Sequence, residues 1–322
     1  MNLTLVSTRG AAVESEHPIS AVLCDSTGDI KERVGNPMVT TWRSAAKPFQ
    51  LESNIDCLPR ALQAALSDSA MAVGAASHSG ENYHIKQIEQ LCSLFDIDES
   101  QLRCGGHWPL HQPTKETMLR LQKPFSAIHN NCSGKHSFMV AATNELDAHE
   151  NYLPISHPVQ VRILERIQER THDGVADTVI DGCGVPCFVL PLEKMATAWA
   201  TLGVEMSQST SSLGKIGRAM AAQPQLVSGT GRLDLALYQA LPEPLVTKIG
   251  AEGLICGAYP QRGLGFALKV RTGVSAMRPL ALWETLNHWF SFNLRTSAIS
   301  NWVTVSNVVG KAVGKIIPRW EF

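Results

Sequence analysis

Trp42-Arg43-Ser44-Ala45-Ala46-Lys47-Pro48-Phe49-Gln50 places a hydroxyl and an amine three residues apart, with small residues between them and a proline directly after. Residues three apart on a helix share a face, with Cβ atoms about 5–6 Å apart. A serine hydroxyl is a weak nucleophile until a base removes its proton. Lysine can be that base where burial or neighbouring charge makes the neutral amine accessible. Taken alone, the stretch reads first as a helix start, with Ser44 capping and Lys47 solvated in the first turn, because S-x-x-K spacing is common by chance. What surrounds it decides between the two.

The chain has 322 residues, enough for a single domain over 1–322 or two intimately packed subdomains. Hydrophobic residues make up 44% and charged residues 18%, which suits a folded core rather than a solvated chain. The formal charge is −1, from 28 basic and 29 acidic residues. Nothing in that balance draws the chain to nucleic acid or to an anionic membrane. The N-terminus lacks the basic and apolar regions of a signal peptide, and no apolar run nears the ~20 residues that span a bilayer. The expected location is cytoplasmic. The eight cysteines, Cys24, Cys57, Cys92, Cys104, Cys132, Cys183, Cys187 and Cys256, are expected as reduced thiols.

Strand and helix signals alternate. Ile19–Cys24 and Pro37–Trp42 flank a turn at Ser26-Thr27-Gly28-Asp29 and read as a hairpin. Met71–Ala76 reads as a buried strand entering the polar loop Ser77-His78-Ser79-Gly80-Glu81. Cys132–Glu145 reads as a glycine-bearing loop that opens a helix. In His157–Thr171, Val159, Ile163, Leu164 and Ile167 recur at helical spacing. Thr178–Leu190 reads as strand, Gly/Pro corner and strand, and 211–222 as a helix. Strands are expected over 253–258 and 263–270. The fold class is α/β: a mixed sheet with helices on its faces.

Four places could carry chemistry. Ser44 and Lys47 are one, and the Ser77–Glu81 loop is another. His129-Asn130-Asn131-Cys132-Ser133-Gly134-Lys135-His136-Ser137 crowds reactive side chains into nine positions before a helix start, a natural anion site. Asp181-Gly182-Cys183-Gly184-Val185-Pro186-Cys187 follows a strand, so Asp181 could meet a substrate amine. His107 and His111 have the spacing of a helical metal pair, but Pro109 between them makes them loop histidines. Ser228-Gly229-Thr230-Gly231-Arg232 fits no dinucleotide fingerprint and reads as a loop.

In this order the clusters resemble the bacterial asparaginases of the Rhizobium thermolabile type. Gly250-Ala251-Glu252-Gly253 and Gly263-Leu264-Gly265-Phe266-Ala267-Leu268-Lys269 complete the match. The resemblance implies a homodimer that converts L-asparagine to L-aspartate and ammonia. It also implies a fold similar to serine β-lactamases and penicillin-binding proteins, which share the S-x-x-K spacing. Ser44 and Lys47 would form one serine–lysine pair and Ser77 with Lys269 a second, with Ser44 as nucleophile and Lys47 as its base. Either serine could carry the acyl group. Arg43, Lys135, His136 and Asp181 would bind substrate, with Arg43 on the α-carboxylate and Asp181 on the α-amine. Cys132, Lys135 and Cys183 would make a zinc-like site, and no organic cofactor is implied. The chain departs from the family pattern at Ser137-Phe138 and at Val270-Arg271.

Two rival enzymes and one non-enzyme remain. A β-lactamase needs S-D-N and K-T-G triplets, and the nearest here are Ser67-Asp68-Ser69 and Arg271-Thr272-Gly273. A hydrolase of glutamine or another small amide would use the same residues. A metal- or thiol-dependent binding protein would use Cys132, Cys183 and Cys187 and leave the serine–lysine pairs idle.

Overall fold

The fold is that of a computed structural model whose described residues are 1–149, 151–241, 245–292 and 299–322. The strands are β1 (Asn2–Arg9), β2 (Ala12–Asp25), β3 (Ile30–Val34), β4 (Val39–Thr41), β5 (Asp177–Ile180), β6 (Pro186–Pro191), β7 (Val246–Ile249), β8 (Leu254–Tyr259), β9 (Leu264–Val270), β10 (Thr304–Ser306) and β11 (Ala312–Glu321). The main antiparallel sheet runs β10-β11-β1-β2-β9-β8-β7, and β3 also pairs with β2. A smaller sheet runs β4-β6-β5. The α/β class expected from the sequence is the class observed.

Period-two alternation explains why the main sheet is covered on both sides. On β2, Ile19, Ala21 and Leu23 join one core, with Leu3, Leu5, Ile255, Leu268 and the helix residues Leu280, Trp283 and Leu286. Val22 and Cys24 face the other way, into a larger core shared with Cys256, Ala267, Trp199 and the central helices. The 192–208 helix lies directly on this second face, because Gly265 lets it approach. A Cβ at Gly265 would sit 2.2 Å from the Ala200 amide nitrogen and 2.3 Å from the Ala196 carbonyl oxygen. Gly265→Ala is therefore expected to cost about 1–3 kcal/mol of stability, read from urea denaturation. An unchanged midpoint would mean that the helix seats on the sheet by other contacts.

Two sequence expectations need correction. Met71–Ala76 is not a strand: Asp68–Gly74 is a helix, whose cap Ser67 accepts a hydrogen bond from the Ala70 amide at 3.1 Å. A six-residue apolar run does not by itself separate strand from buried helix, and the cap decided it. The hairpin partner of β2 is 30–34, not 37–42. Val39–Thr41 pairs with β6 in the small sheet instead. The other elements form where expected. Pro158–Arg170 buries Val159, Ile163 and Ile167, and His157 caps it through Nδ1 on the Val159 amide at 3.2 Å. β5 and β6 pair around the 181–185 corner. Among the described residues no helix is long and apolar enough to cross a membrane.

Candidate active site

One cavity of about 630 Å³ collects residues from most of the clusters singled out in the sequence, among them Arg43, Ser44, Ser77, Asn131, Cys132, Asp181 and Cys183. The 42–47 segment enters it as a single turn of 3-10 helix over Arg43–Ala46, which passes into the Lys47–Cys57 helix. Arg43 has φ 49°, a left-handed conformation that costs a non-glycine residue of order 1–3 kcal/mol. That strained residue precedes Ser44, which is half-buried at the cavity wall. Pro48 at the start of the following helix has no amide hydrogen to leave unpaired.

Lys47 is buried, and its Nζ reaches three acceptors: the Ala76 carbonyl, Ser77 Oγ at 3.0 Å and the Asn131 carbonyl at 3.2 Å. Those contacts use the three hydrogens of an ammonium and leave no lone pair facing Ser44. The opposite side of Ser77 Oγ meets Lys248 Nζ at 2.8 Å, and that amine also donates to the Ile249 carbonyl at 2.9 Å. Lys248 is fully buried, and burial drives its pKa well below the ordinary lysine value; the charges of Lys47 and Arg232 push the same way. Ser77 Oγ is thus a hydroxyl bridge between two buried amines, one of which is disposed to be neutral.

This corrects the expected second pair. Ser77 lies against Lys248, not Lys269, whose Nζ donates to the Glu252 carbonyl. The register gives the reason. Lys248 opposes Cys256, which opposes Ala267, and Lys269 opposes Leu254. Both lysines therefore point to the helical face of the sheet. They stand on β7 and β9, however, two strand spacings or about 10 Å apart, and two residues apart in register. Of the two lysines, the one on β7 reaches Ser77. Lys248 lies two residues before Gly250-Ala251-Glu252-Gly253, and that position was the signal available in the sequence.

Cys132, Lys135 and Cys183 do come together. Gly134 makes this possible, because a Cβ there would lie 2.2 Å from the Val73 carbonyl oxygen. The 133–145 helix therefore starts close against the 68–74 helix, with Cys132 and Lys135 on one face. Lys135 Nζ is 3.2 Å from Cys183 Sγ. The hydrogen bond from Cys183, together with the charges of Lys47 and Lys135, holds the Cys132 thiol far below the usual thiol range despite its burial. That same bond and burial push Cys183 up. Burial works against the Lys135 ammonium, but the thiolate charge of the hydrogen-bonded Cys183–Cys132 pair outweighs it and raises its pKa. Two sulfurs and an amine are a donor set that suits a soft divalent ion once Lys135 gives up its proton. Among the described residues no group of three or more His, Cys, Asp or Glu side chains could hold a metal. The fit therefore depends on the lysine.

Asp181 and Arg43 form an ion pair, Nε to Oδ1, at 2.7 Å on the cavity wall. Burial would raise the Asp181 carboxyl, but the charges of Lys135 and Arg43 hold it below its ordinary value. His136 does not line the cavity. It is one helical step round from Lys135, buried, with Nδ1 on Tyr152 Oη at 2.8 Å. Lys135 itself is buried behind Cys183 rather than exposed on the cavity surface. His107 is in a loop, as expected, and it lines the cavity with Nε2 3.1 Å from the Asn131 amide nitrogen. Gly231 and Arg232 of the 228–232 loop also line it, and Arg278 joins them with no prior signal. Both departures from the family pattern lie off the cavity: Phe138 packs on Phe95, and Arg271 donates to Ser20 Oγ at 2.8 Å.

No curated protein matches the sequence. Among solved structures the chain is similar to Mglu in its tris and glutamate form, at 15% identity over 86% of this chain and 60% of that one, with a TM-score of 0.37. Another crystal structure of Mglu gives 14% identity, 86% and 67% coverage and a TM-score of 0.39. This chain thus spans about 60% of the length of the first, and the likeness is too distant to bear on the site. The family model for L-asparaginase II, in contrast, matches residues 5–318, nearly the whole chain, and this protein belongs to the L-asparaginase II family of amidohydrolases.

Proposed function

We propose that the protein hydrolyses the side-chain amide of L-asparagine to L-aspartate and ammonia. The observation that carries this reading is Ser77 Oγ held between Lys47 and Lys248 in the cavity that Ser44 lines. Ser44 Oγ attacks the amide carbon and its proton passes to Lys47. Lys47 can accept that proton only after losing one of its own, and Ser77 is the relay: Lys47 protonates Ser77 Oγ while Ser77 protonates Lys248. The relay then runs back, Lys248 returning its proton through Ser77 to Lys47, and Lys47 gives a proton to the amide nitrogen, which the tetrahedral carbon expels as ammonia. A β-aspartyl ester remains on the serine. Water cleaves the ester, releasing aspartate and restoring the hydroxyl.

Asp181 accepts from the α-ammonium of the substrate, with Arg43 beside it completing a polar wall. Asp181→Asn should therefore raise KM for L-asparagine by about tenfold or more, with a smaller change in kcat. An unchanged KM would remove Asp181 from this role. Zinc, when bound, would be held by Cys132, Lys135 and Cys183 and would supply positive charge beside the polar wall. We take the enzyme to be a homodimer, as the family resemblance implies, and to act in the cytoplasm.

The test is ammonia release from purified protein with L-asparagine and, separately, L-glutamine. The two amides differ by one methylene, which a pocket discriminates by only about 1–3 kcal/mol. Faster turnover of L-asparagine supports the proposal. Faster turnover of L-glutamine would move it to the longer amide, and release from neither would overturn it.

A further inference from the structure

Arg278 is the most unusual charge on the cavity wall. It is 6% exposed, and its Nε is buried without a hydrogen-bond partner. One guanidinium nitrogen donates to Ser275 Oγ at 2.8 Å, a neutral acceptor. Among the described residues no carboxylate forms an ion pair with it. Asp234, whose field reaches it, accepts from Thr247 Oγ1 at 2.9 Å instead. Burial outweighs that field, and the nearby charge of Arg232 adds to it, so the pKa of Arg278 falls to about 10.

Its position adds to the cost. Arg278 is the first residue of a 13-residue helix, where the helix dipole is positive and disfavours a cation. A buried guanidinium held only by a neutral hydroxyl and by the field of Asp234, at the start of a helix, is costly to the fold. Both unfavourable effects reverse when an anion enters the cavity. The helix end favours negative charge, and a carboxylate matches the guanidinium fork. Arg43 is differently placed, because its Nε is already given to Asp181 at 2.7 Å.

We infer that the Arg278 guanidinium receives the α-carboxylate of the substrate, and that Arg43 serves to orient Asp181. The inference rests on the amino-acid amide reading above. It makes Arg278 the residue that separates amino-acid amides from simple amides in the same pocket.

The test compares L-asparagine with 3-aminopropanamide, which keeps the amide and the amine and lacks the α-carboxylate. Arg278→Met should lower kcat/KM for L-asparagine about 100-fold, mainly through KM, and change that for 3-aminopropanamide by less than about threefold. Arg278→Lys should recover part of the loss, and it reports independently if the methionine variant folds poorly. Equal losses on both amides, in either variant, would mean that Arg278 only supports the fold and would overturn the inference. If the wild type hydrolyses neither amide, the functional reading fails and Arg278 is still judged by binding. L-Aspartate should raise the Tm of the wild type more than β-alanine does, and Arg278→Met should abolish the difference. A difference that survives the substitution would overturn the assignment.

Discussion

Lys248→Met is expected to lower kcat for L-asparagine by about 10²–10⁴-fold, the range for loss of a general base, while Lys269→Met stays within about threefold of wild type. The two lysines face the same side of one sheet and are both buried, so general loss of buried charge would affect them alike. Each donates to a backbone carbonyl, Lys248 to Ile249 and Lys269 to Glu252, but Lys248 also reaches Ser77 Oγ. The relay needs a neutral amine at its far end, and burial shifts Lys248 toward that form. This also fixes a pH dependence. As pH falls through the lowered pKa of Lys248, the amine gains a proton and the relay has no acceptor. The acid limb of the kcat profile should fall with unit slope, below the ordinary lysine value of 10.5. The same shift weakens the fold. The unfolded chain holds the Lys248 proton at pH values where the folded chain does not, so this residue destabilises the folded state there, and stability recovers as pH rises toward 10.5. A Lys269→Met variant as inactive as Lys248→Met would overturn the assignment of the relay.

Much of the site was legible because its parts are local. Ser44 and Lys47 are three residues apart, Cys132 directly precedes the helix whose first turn carries Lys135, and Asp181 and Cys183 share one corner. Each such spacing implies a shared face or loop, and the order of the clusters tied them together. What was not legible depends on long-range register. Parity along β7 and β9 places Lys248 and Lys269 on the same face, but no local pattern says which strand abuts the Ser77 loop. Arg278 was missed for a related reason. As the first residue of an amphipathic helix it looks like a solvated end, and only the packing of that helix against the sheet buries it. His136 erred in the other direction. It adjoins Lys135 in the motif, yet one step along a helix turns a side chain by about 100°, and here that step carries it into the core beside Tyr152. In the fold, Met71–Ala76 was misread because its apolar content suits strand and helix equally, and the deciding cap at Ser67 lies outside the run.

Ser44→Ala should abolish ammonia release, lowering kcat by at least about 10³-fold, and Ser77→Ala should lower it by a similar factor for a different reason. The rates alone do not separate the two serines, because groups that act as a unit are strongly non-additive when removed singly. The covalent intermediate does separate them. Ser77 Oγ is already committed to two amines, at 3.0 Å from Lys47 and 2.8 Å from Lys248. Acylating it would convert the bridging hydroxyl into an ester and break the only described path between the amines. Ser44 lies on the cavity wall one helical turn from Lys47, and no hydrogen bond of its hydroxyl is present among the described residues. It can therefore bond to the substrate without dismantling the relay. Acid-quenched protein analysed by mass spectrometry after mixing with L-asparagine should carry a β-aspartyl adduct on Ser44 in Ser77→Ala, in the fraction set by how far deacylation lags attack. Ser44→Ala should carry none. An adduct mapped to Ser77 in the Ser44→Ala protein would exchange the two roles, making Ser77 the nucleophile with Lys248 as its base and leaving Ser44 to position the amide.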